Sequence, residues 1–326
     1  MIDTHAHYVS PSLLLAAGRE DSPVAFDRES RVFSFPSGPT RPVPAPLMDL
    51  EGRAAWMGKR SIQLQVVSPW MDIAGDDLED PQARAWCRIY NDTMAEDLAG
   101  SSSFKALGAI PMSSGQSAAE ELERVVREHG FLGGSIPTQV RGGLDLDAAG
   151  LDSLFATAQE LGVPLLVHPY RVMARSRMDR HFLFNICGNP FETTLAAMRL
   201  FFWGVFDKWP ELKLVLAHTG GALSLLAGRA WHASSHAAGF EHPLKSPSEM
   251  LDSFYYDTVL HDPLSLGHAM RVIGPSRIMA GTDSPFPMLL DDPVGQVRRA
   301  CEVAGIDSEG TIDAILTSTA KLVFRT

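Results

Sequence analysis

The chain has 326 residues, of which 45% are hydrophobic and 21% are charged, and its formal net charge is −11. An acidic surface repels phosphate backbones, so we expect no nucleic-acid partner. No run reaches the roughly 18–20 uncharged apolar positions of a membrane helix, and the N-terminal residues do not follow a signal-peptide pattern. Three widely spaced cysteines, Cys87, Cys187 and Cys301, predict reduced thiols in a cytoplasmic protein.

Short apolar runs alternate with helical stretches along the whole chain. The predicted strands cover residues 1–7, 62–68, 105–111, 132–137, 164–169, 213–219, 254–259 and 277–283. The clearest predicted helices cover residues 80–98, 117–129, 147–161, 190–208, 222–236, 263–273 and 292–304. Most strands are continuously apolar, as parallel strands are when both faces are covered. This alternation predicts an α/β fold, a (β/α)8 TIM barrel. A doubly wound open sheet is the alternative, but the GxGxxG turn that would favour it is absent from the sequence.

The connection between the first two strands is unusually long. It covers about residues 8–47, is rich in Pro, Ser and Arg, and contains an alternating segment at residues 31–35. Insertions of this length are usually functional or disordered. Because this one leaves the C-terminal end of the first strand, we expect a lid or hairpin over the barrel mouth, with surface decoration as the alternative. No second domain is indicated, so residues 1–326 are predicted to form a single barrel domain.

Histidines and one aspartate stand at the ends of four predicted strands. His5 and His7 are two residues apart on the first strand, so their side chains point to the same face. His168, His218 and Asp283 end the fifth, sixth and eighth predicted strands. Barrel strands converge at their carboxyl ends, where barrel enzymes keep their active sites. Because zinc accepts imidazole nitrogen and carboxylate oxygen, the pattern predicts a divalent-metal site at the mouth.

These motifs resemble the amidohydrolase superfamily and, more narrowly, its aminocarboxymuconate-semialdehyde decarboxylase branch. The wider superfamily shares the His5-x-His7 pair and the strand-eight aspartate. The His-Thr-Gly-Gly turn from His218 towards Arg229, and the Asp-Ser-Pro-Phe-Pro sequence from Asp283, are more specific to the branch. The likeness runs through the whole chain. It implies the barrel fold and a metal-dependent enzyme.

The resemblance implies a role for each metal-capable side chain. The implied ligands are His5, His7, His168 and Asp283, with Asp283 also catalytic, and His218 is the implied acid/base that does not bind the metal. The end of the fourth strand, residues 135–138, contains no lysine that could be carbamylated to bridge two metals. One divalent metal is therefore expected, most simply Zn²⁺ with Mn²⁺ as the alternative.

Three further residues match substrate-binding positions of the branch. Arg41 on the insertion and Arg229 match arginines that bind a substrate carboxylate, and Phe286 matches an aromatic residue that lines the pocket. Ordinary surface ion pairing is the alternative role for both arginines. In the family the second arginine reaches the neighbouring subunit's site, which implies a homodimer. Whether His181 and His261 reach the pocket is left open.

The resemblance implies a non-oxidative decarboxylase of an unsaturated, aromatic or heteroaromatic carboxylate from ring catabolism. Aminocarboxymuconate semialdehyde, a hydroxybenzoate or a pyridine carboxylate would suit such an enzyme. A metal-dependent hydrolase or hydratase of a lactone, amide or keto-acid is the alternative, because the same scaffold serves both chemistries. A non-enzymatic binding protein on a decayed barrel is disfavoured, since decay would erode the ligands and all four are present.

Overall fold

The computed structural model describes residues 1–19, 22–240 and 243–326. The strands are β1 (Ile2–Tyr8), β2 (Ala25–Asp27), β3 (Val32–Phe35), β4 (Gly38–Pro39), β5 (Leu64–Pro69), β6 (Phe104–Ala106), β7 (Gly108–Ala109), β8 (Gly134–Pro137), β9 (Gln139–Val140), β10 (Leu144–Asp145), β11 (Pro164–His168), β12 (Lys213–Leu216) and β13 (Tyr255–Tyr256). The helices are α1 (Pro11–Ala17), α2 (Leu50–Gly58), α3 (Asp80–Leu98), α4 (Gly115–His129), α5 (Asp152–Leu161), α6 (Asn189–Phe202), α7 (Val205–Lys208), α8 (Leu223–His236), α9 (Pro247–Leu251), α10 (Pro263–Ile273), α11 (Pro293–Ala304), α12 (Glu309–Asp313) and α13 (Thr319–Phe324). None of these helices is long and apolar enough to cross a membrane.

Two runs of parallel strands form the barrel wall. One run has the order β1-β5-β6, and the other has the order β13-β12-β11-β8-β7. Strands β6 and β7 are two halves of one strand, interrupted at Leu107, whose amide donates to the carbonyl of Val67 on β5 at 2.9 Å. Together with the eighth segment described next, these strands confirm the predicted (β/α)8 barrel.

The eighth predicted strand closes the barrel without forming a regular strand. Isolated parallel bridges join Ile278 to Tyr256 and Ser284 to Ala6, so the segment pairs with the seventh strand and with the first. Gly281 lies between those neighbours, where a Cβ atom would approach the Cβ of His5 to 2.9 Å and that of Asp257 to 3.0 Å. A side chain has no room there, so glycine permits this close approach of three backbones.

The strands are buried because the barrel interior covers one face and the helices cover the other. Every residue of β1 and of β11 is buried. Helix α4 shows how the surrounding elements are delimited, since the Ser114 side chain caps its first turn and Gly130 ends it with a left-handed φ of 66°. The prediction of one continuous helix over residues 190–208 is wrong. The helical stretch breaks into α6 and α7 at Gly204, whose φ is 82°.

The described residues of the insertion after β1 pack against the barrel. The insertion contains α1 and the antiparallel sheet β2-β3-β4, which includes the alternating segment noted in the sequence. Phe33 and Phe35 of β3 contact the indole of Trp86 on α3, with ring centroids 5.6 and 5.8 Å apart. This aromatic contact fixes the sheet against the barrel and brings the following segment, with Arg41, to the mouth.

Candidate active site

Four buried side chains converge at the carboxyl ends of the barrel strands. His5 and His7 come from β1, His168 ends β11, and Asp283 follows the irregular eighth segment. Each offers one ligand atom, and the four atoms lie within 4.8 Å of one another. The period of two along β1 and the parallel direction of the strands produce this convergence.

Hydrogen bonds on the side away from the centre orient the imidazoles of His5 and His7. Nδ1–H of His5 donates to Oδ2 of Asp257 at 2.6 Å, and Nδ1–H of His7 donates to the Pro69 carbonyl at 3.1 Å. Both Nε2 atoms therefore point to the centre, where they are buried and have no hydrogen-bond partner among the described residues. The same holds for both ring nitrogens of His168.

Unpartnered buried nitrogens cost about 1–3 kcal/mol each, so this arrangement is unfavourable unless something else binds them. Three inward imidazole nitrogens and a carboxylate oxygen are a donor set that divalent metals such as zinc accept. Their orientation by outer hydrogen bonds is also typical of metal sites. The residues thus fit a divalent metal ion.

The charges of the cluster also suit a cation. Burial opposes ionisation of Asp283, but the nearby imidazoles of His7, His5 and His218 hold its pKa at about 2. Burial and the neighbouring histidines keep the pKa of His168 well below its ordinary value. Burial would lower the pKa of His5 as well, but Asp257 outweighs it and raises that pKa to about 8. A bound cation would displace the His5 proton, because metal ligands must be deprotonated.

His218 lies beside this cluster on a turn of unusual backbone geometry. Its φ is 56° and that of Thr219 is 55°, so two consecutive non-glycine residues are left-handed. Nε2 of His218 lies 3.9 Å from Oδ2 of Asp283, and the side chain is 13% exposed to the pocket. Burial and the charge of His5 lower the pKa of His218 to about 4. His218 is thus a neutral imidazole at the pocket wall, and the compact four-atom group does not include it.

The pocket above the cluster has aromatic walls. The aromatic side chains that line it are Trp70, Tyr170, Phe182, Phe184 and Phe286. The Phe286 ring packs against His7 with a centroid separation of 5.0 Å. Two amide side chains, Asn185 and Asn189, also line the pocket. A flat apolar ligand with polar substituents would match this lining.

Arg41 lies at the pocket rim, held by the neighbouring loop. Its Nε and Nη2 donate to the two carboxylate oxygens of Asp72 at 2.7 and 3.2 Å. The guanidinium lies 5.3 Å from the Trp70 ring centroid and 5.6 Å from that of Phe286. Of the five N–H groups of an arginine, this side-on pair uses two, so three remain for a ligand.

The structure does not bring every predicted site residue to the pocket. Arg229 is exposed on α8 and does not line the pocket of its own chain. His181 is exposed, and His261 binds the Met288 carbonyl through Nε2 at 2.7 Å; neither lines the pocket. His242, for which the sequence predicts no site role, lies outside the described residues.

Sequence reasoning missed Asp257 as a site residue, although the signal was available. Asp257 lies near the end of the seventh predicted strand, in a place comparable to that of Asp283 on the eighth. The pocket residues Phe182 and Asn185 had no such signal, because an aromatic residue or an amide in a loop has no periodic pattern to mark it.

The comparisons with known proteins agree with this geometry. The Amidohydrolase family matches residues 2–326. The 2-amino-3-carboxymuconate-6-semialdehyde decarboxylase of Dictyostelium discoideum is 30% identical over 244 residues, which cover 74% of this chain and 67% of that protein. The gamma-resorcylate decarboxylase of Polaromonas sp. is 29% identical over 258 residues, covering 74% and 78%. The crystal structure of dihydroxybenzoic acid decarboxylase from Polaromonas sp. JS666, with bound manganese and 2-nitroresorcinol, shares the fold with a TM-score of 0.79 at 24% identity, covering 99% of this chain and 96% of that one. This chain therefore belongs to the amidohydrolase family, in the branch that contains these decarboxylases.

Proposed function

We propose that this protein is a metal-dependent, non-oxidative decarboxylase of an aromatic, heteroaromatic or unsaturated carboxylate. The observation that carries the proposal is the buried group of three imidazoles and one carboxylate beneath an aromatic pocket with an arginine at its rim. The two relatives of this chain described above are decarboxylases of an aminocarboxymuconate semialdehyde and of a resorcylate. A substrate of this chain belongs to the same broad class of unsaturated ring-derived acids.

One divalent metal ion is part of the proposal, with Zn²⁺ as the first choice and Mn²⁺ as the second. His5, His7, His168 and Asp283 would hold it. When bound, such an ion supplies Lewis-acid stabilisation of negative charge on a substrate oxygen.

The remaining chemistry is assigned to the protein's own side chains. In decarboxylation the carbon–carbon bond to the carboxyl group breaks, carbon dioxide leaves, and the electron pair stays on the substrate. An adjacent enol or imine of the substrate accepts that pair, and the vacated carbon then takes a proton. His218, neutral and facing the pocket, accepts a proton from solvent at Nε2 and passes it to that carbon, which returns the imidazole to its neutral form. Asp283 stays ionised beside it and faces Nε2 of His218.

Substrate binding is assigned to the pocket rim and walls. The free N–H groups of Arg41 bind an anionic oxygen, since arginine pairs with carboxylates in bidentate fashion. Phe286 and Trp70 form apolar faces against which a planar ring can stack. Asp72 keeps Arg41 in place and offsets part of its positive charge, so stacking of a planar ring against Trp70 and Phe286 has to contribute to the binding of an anion.

The chain is further proposed to be a single barrel domain over residues 1–326, with the insertion at about 8–47 as a lid, and to form a homodimer. Arg229 and the exposed Leu225 are four residues apart on α8, so they share one face of the helix. Helix α6 packs against α8 and adds the exposed Phe191. A second copy covering this apolar face would receive Arg229 at its own pocket. The cytoplasmic location stays a prediction from the sequence.

The dimer part is tested by mixing two inactive variants, Arg229→Ala and His168→Ala, under conditions of subunit exchange. A hybrid contains one site with both residues intact, so activity should partly return. Hybrid dimers that form and stay inactive would place Arg229 outside the partner's site.

The decarboxylase is tested with two panels of compounds. One panel contains ortho-hydroxy and ortho-amino aromatic carboxylates, pyridine carboxylates and muconate semialdehydes, and the other contains lactones and amides. The metal-loaded enzyme should release carbon dioxide from the first panel and, in deuterium oxide, place one deuteron at the vacated carbon. Hydrolysis of a lactone or amide without carbon dioxide from any carboxylate would show a hydrolase instead.

A further inference from the structure

A single carboxylate behind the metal-ligand group touches two different parts of the site. Asp257 follows β13, is fully buried and does not line the pocket. Its Oδ2 accepts from Nδ1–H of His5 at 2.6 Å and from the amide of His218 at 2.9 Å. Its Oδ1 accepts from the amides of Thr219 and Val259 at 2.8 and 2.9 Å. The carboxylate therefore accepts four hydrogen bonds, two at each oxygen.

The contact with His5 determines which nitrogen faces the centre. An ionised carboxylate only accepts, so Nδ1 of His5 carries the hydrogen and Nε2 presents its lone pair. Among the described residues, the one other carboxylate paired with the His5 ring is Asp283, which lies 3.7 Å from Nε2 and belongs to the metal-ligand set itself. In the neutral ring that binds a metal, Asp257 thus keeps the hydrogen on Nδ1 and leaves Nε2 as the ligand atom.

The contacts with the following turn hold His218 in place. Left-handed backbone at a non-glycine residue costs about 1–3 kcal/mol, and here two such residues are adjacent. Asp257 accepts from both of their amides, and Oγ1 of Thr219 donates back to the Asp257 carbonyl at 3.1 Å. Because His218 belongs to this turn, a change in the turn's backbone would also displace its imidazole.

Asp257 has little freedom to move. A Cβ atom at Gly281 would lie 3.0 Å from its own Cβ, so the neighbouring backbone packs directly against it. A shift that loosened the contact with His5 would also loosen the contact with His218, since both donors meet the same oxygen.

We propose that Asp257 is a positioning residue that sets both the metal affinity, through His5, and the placement of the acid/base imidazole, through the backbone of His218 and Thr219. Because the acid/base role of His218 belongs to the proposed function, the second half of this inference rests on that function. The first half concerns metal binding alone.

The test uses Asp257→Asn, which keeps the shape and removes one acceptor. In either orientation of the amide, its NH₂ group faces donors that the carboxylate accepted, namely His5 and His218 or Thr219 and Val259. Zinc affinity, measured by competition with a chromophoric chelator, should fall about 10–100-fold. At saturating zinc, kcat should fall about 10²-fold with little change in KM, because a misplaced group costs rate rather than substrate binding.

The matched control is Asp3→Asn. On the strand of His5, Asp3 is a second fully buried carboxylate, and its side chain accepts from Gln65, Thr282 and the backbone amide of His5 rather than from an imidazole. This variant measures the general cost of losing a buried carboxylate, and it should bind zinc like the wild type. Equal zinc affinity in Asp257→Asn and the wild type would overturn the assignment to His5.

A second substitution separates the two roles. Glycine adopts positive φ without strain, so Thr219→Gly added to Asp257→Asn should recover part of kcat at saturating zinc and leave the zinc affinity low. Thr219→Gly alone is the reference for this comparison. Recovery of zinc affinity in the double variant, or no recovery of kcat, would show that the two roles are not divided as proposed.

A measurement on the wild type covers the case in which Asp257→Asn does not fold. In zinc-loaded protein with ¹⁵N-labelled histidine, the Nδ1–H proton of His5 should exchange slowly with solvent, and its resonance should lie strongly downfield. A rapidly exchanging His5 Nδ1–H would refute the contact. Zinc affinity and this resonance need no turnover, so they distinguish failure of this inference from failure of the decarboxylase proposal.

Discussion

Two buried polar regions of this barrel contain similar residues and differ in how their atoms are paired. Between α3 and α4, Arg124 is 8% exposed and donates to Glu121 at 2.7 and 2.9 Å and to Asp92 at 2.7 Å. His129 joins the same group, with Nε2 2.8 Å from Asp92. At the barrel mouth, by contrast, His168 has no partner for either ring nitrogen among the described residues.

This difference distinguishes buried polar groups that stabilise the fold from buried polar groups that are available to bind a ligand. A buried network with its hydrogen bonds satisfied adds specificity and rigidity, whereas an unsatisfied one costs free energy. The histidines of the mouth are unsatisfied in this way, so replacing one of them should change metal binding far more than the free energy of unfolding. For the α3–α4 network we expect the opposite: a substitution should lower the free energy of unfolding and leave metal binding unchanged.

The largest expected effect is at His168. His168→Leu should lose the metal and the decarboxylase activity together, as measured by elemental analysis and by carbon dioxide release. The free energy of unfolding of the metal-free protein should not fall, because the change removes two buried nitrogens that each cost about 1–3 kcal/mol. A metal-free variant clearly less stable than the metal-free wild type would contradict the contrast between the two regions.

His218 sharpens the comparison, because it lies at the mouth without belonging to the four-atom group. His218→Ala should keep its metal while turnover falls about 10²–10⁴-fold, as expected for loss of an acid/base residue. Metal content and kcat measured on the same preparation check this. Loss of metal equal to that of His168→Leu would make His218 a ligand.

The smallest effect on function is expected in the paired region. Arg124→Met should lower the free energy of unfolding by about 3 kcal/mol, the lower end for breaking a buried pair, since Asp92 is 43% exposed. Metal content and kcat should not change. Urea unfolding with and without Glu121→Leu provides the control, because the double variant leaves no buried charge unpaired and should regain stability. A fall in kcat would mean that the two regions are coupled.

Much of the candidate site was predictable from local sequence. His5 and His7 share a face because strand side chains repeat every two residues, and His168 and Asp283 end apolar runs that predict buried strands. Helices α3 and α10 have the predicted bounds. The hairpin in the insertion was visible as an alternating segment, since one face of β3 is buried against the barrel.

Other features could not be predicted, because they depend on distant partners. The break between α6 and α7 needs Gly204 to adopt a left-handed conformation, which a helical spacing does not reveal. The aromatic pocket walls come partly from the loop after β11, which has no periodic pattern. The pairing of Arg41 with Asp72 joins the insertion to a different loop.

The sequence by itself determined where metal-capable side chains stand along the strands, because strand periodicity and apolar runs are local properties. Only the tertiary structure decided which nitrogen of each imidazole faces the centre and how His218 is held. The contact between His5 and Asp257 spans 252 positions in the chain. Hydrogen bonds across that separation exist only after the barrel has closed, so no local pattern encodes them.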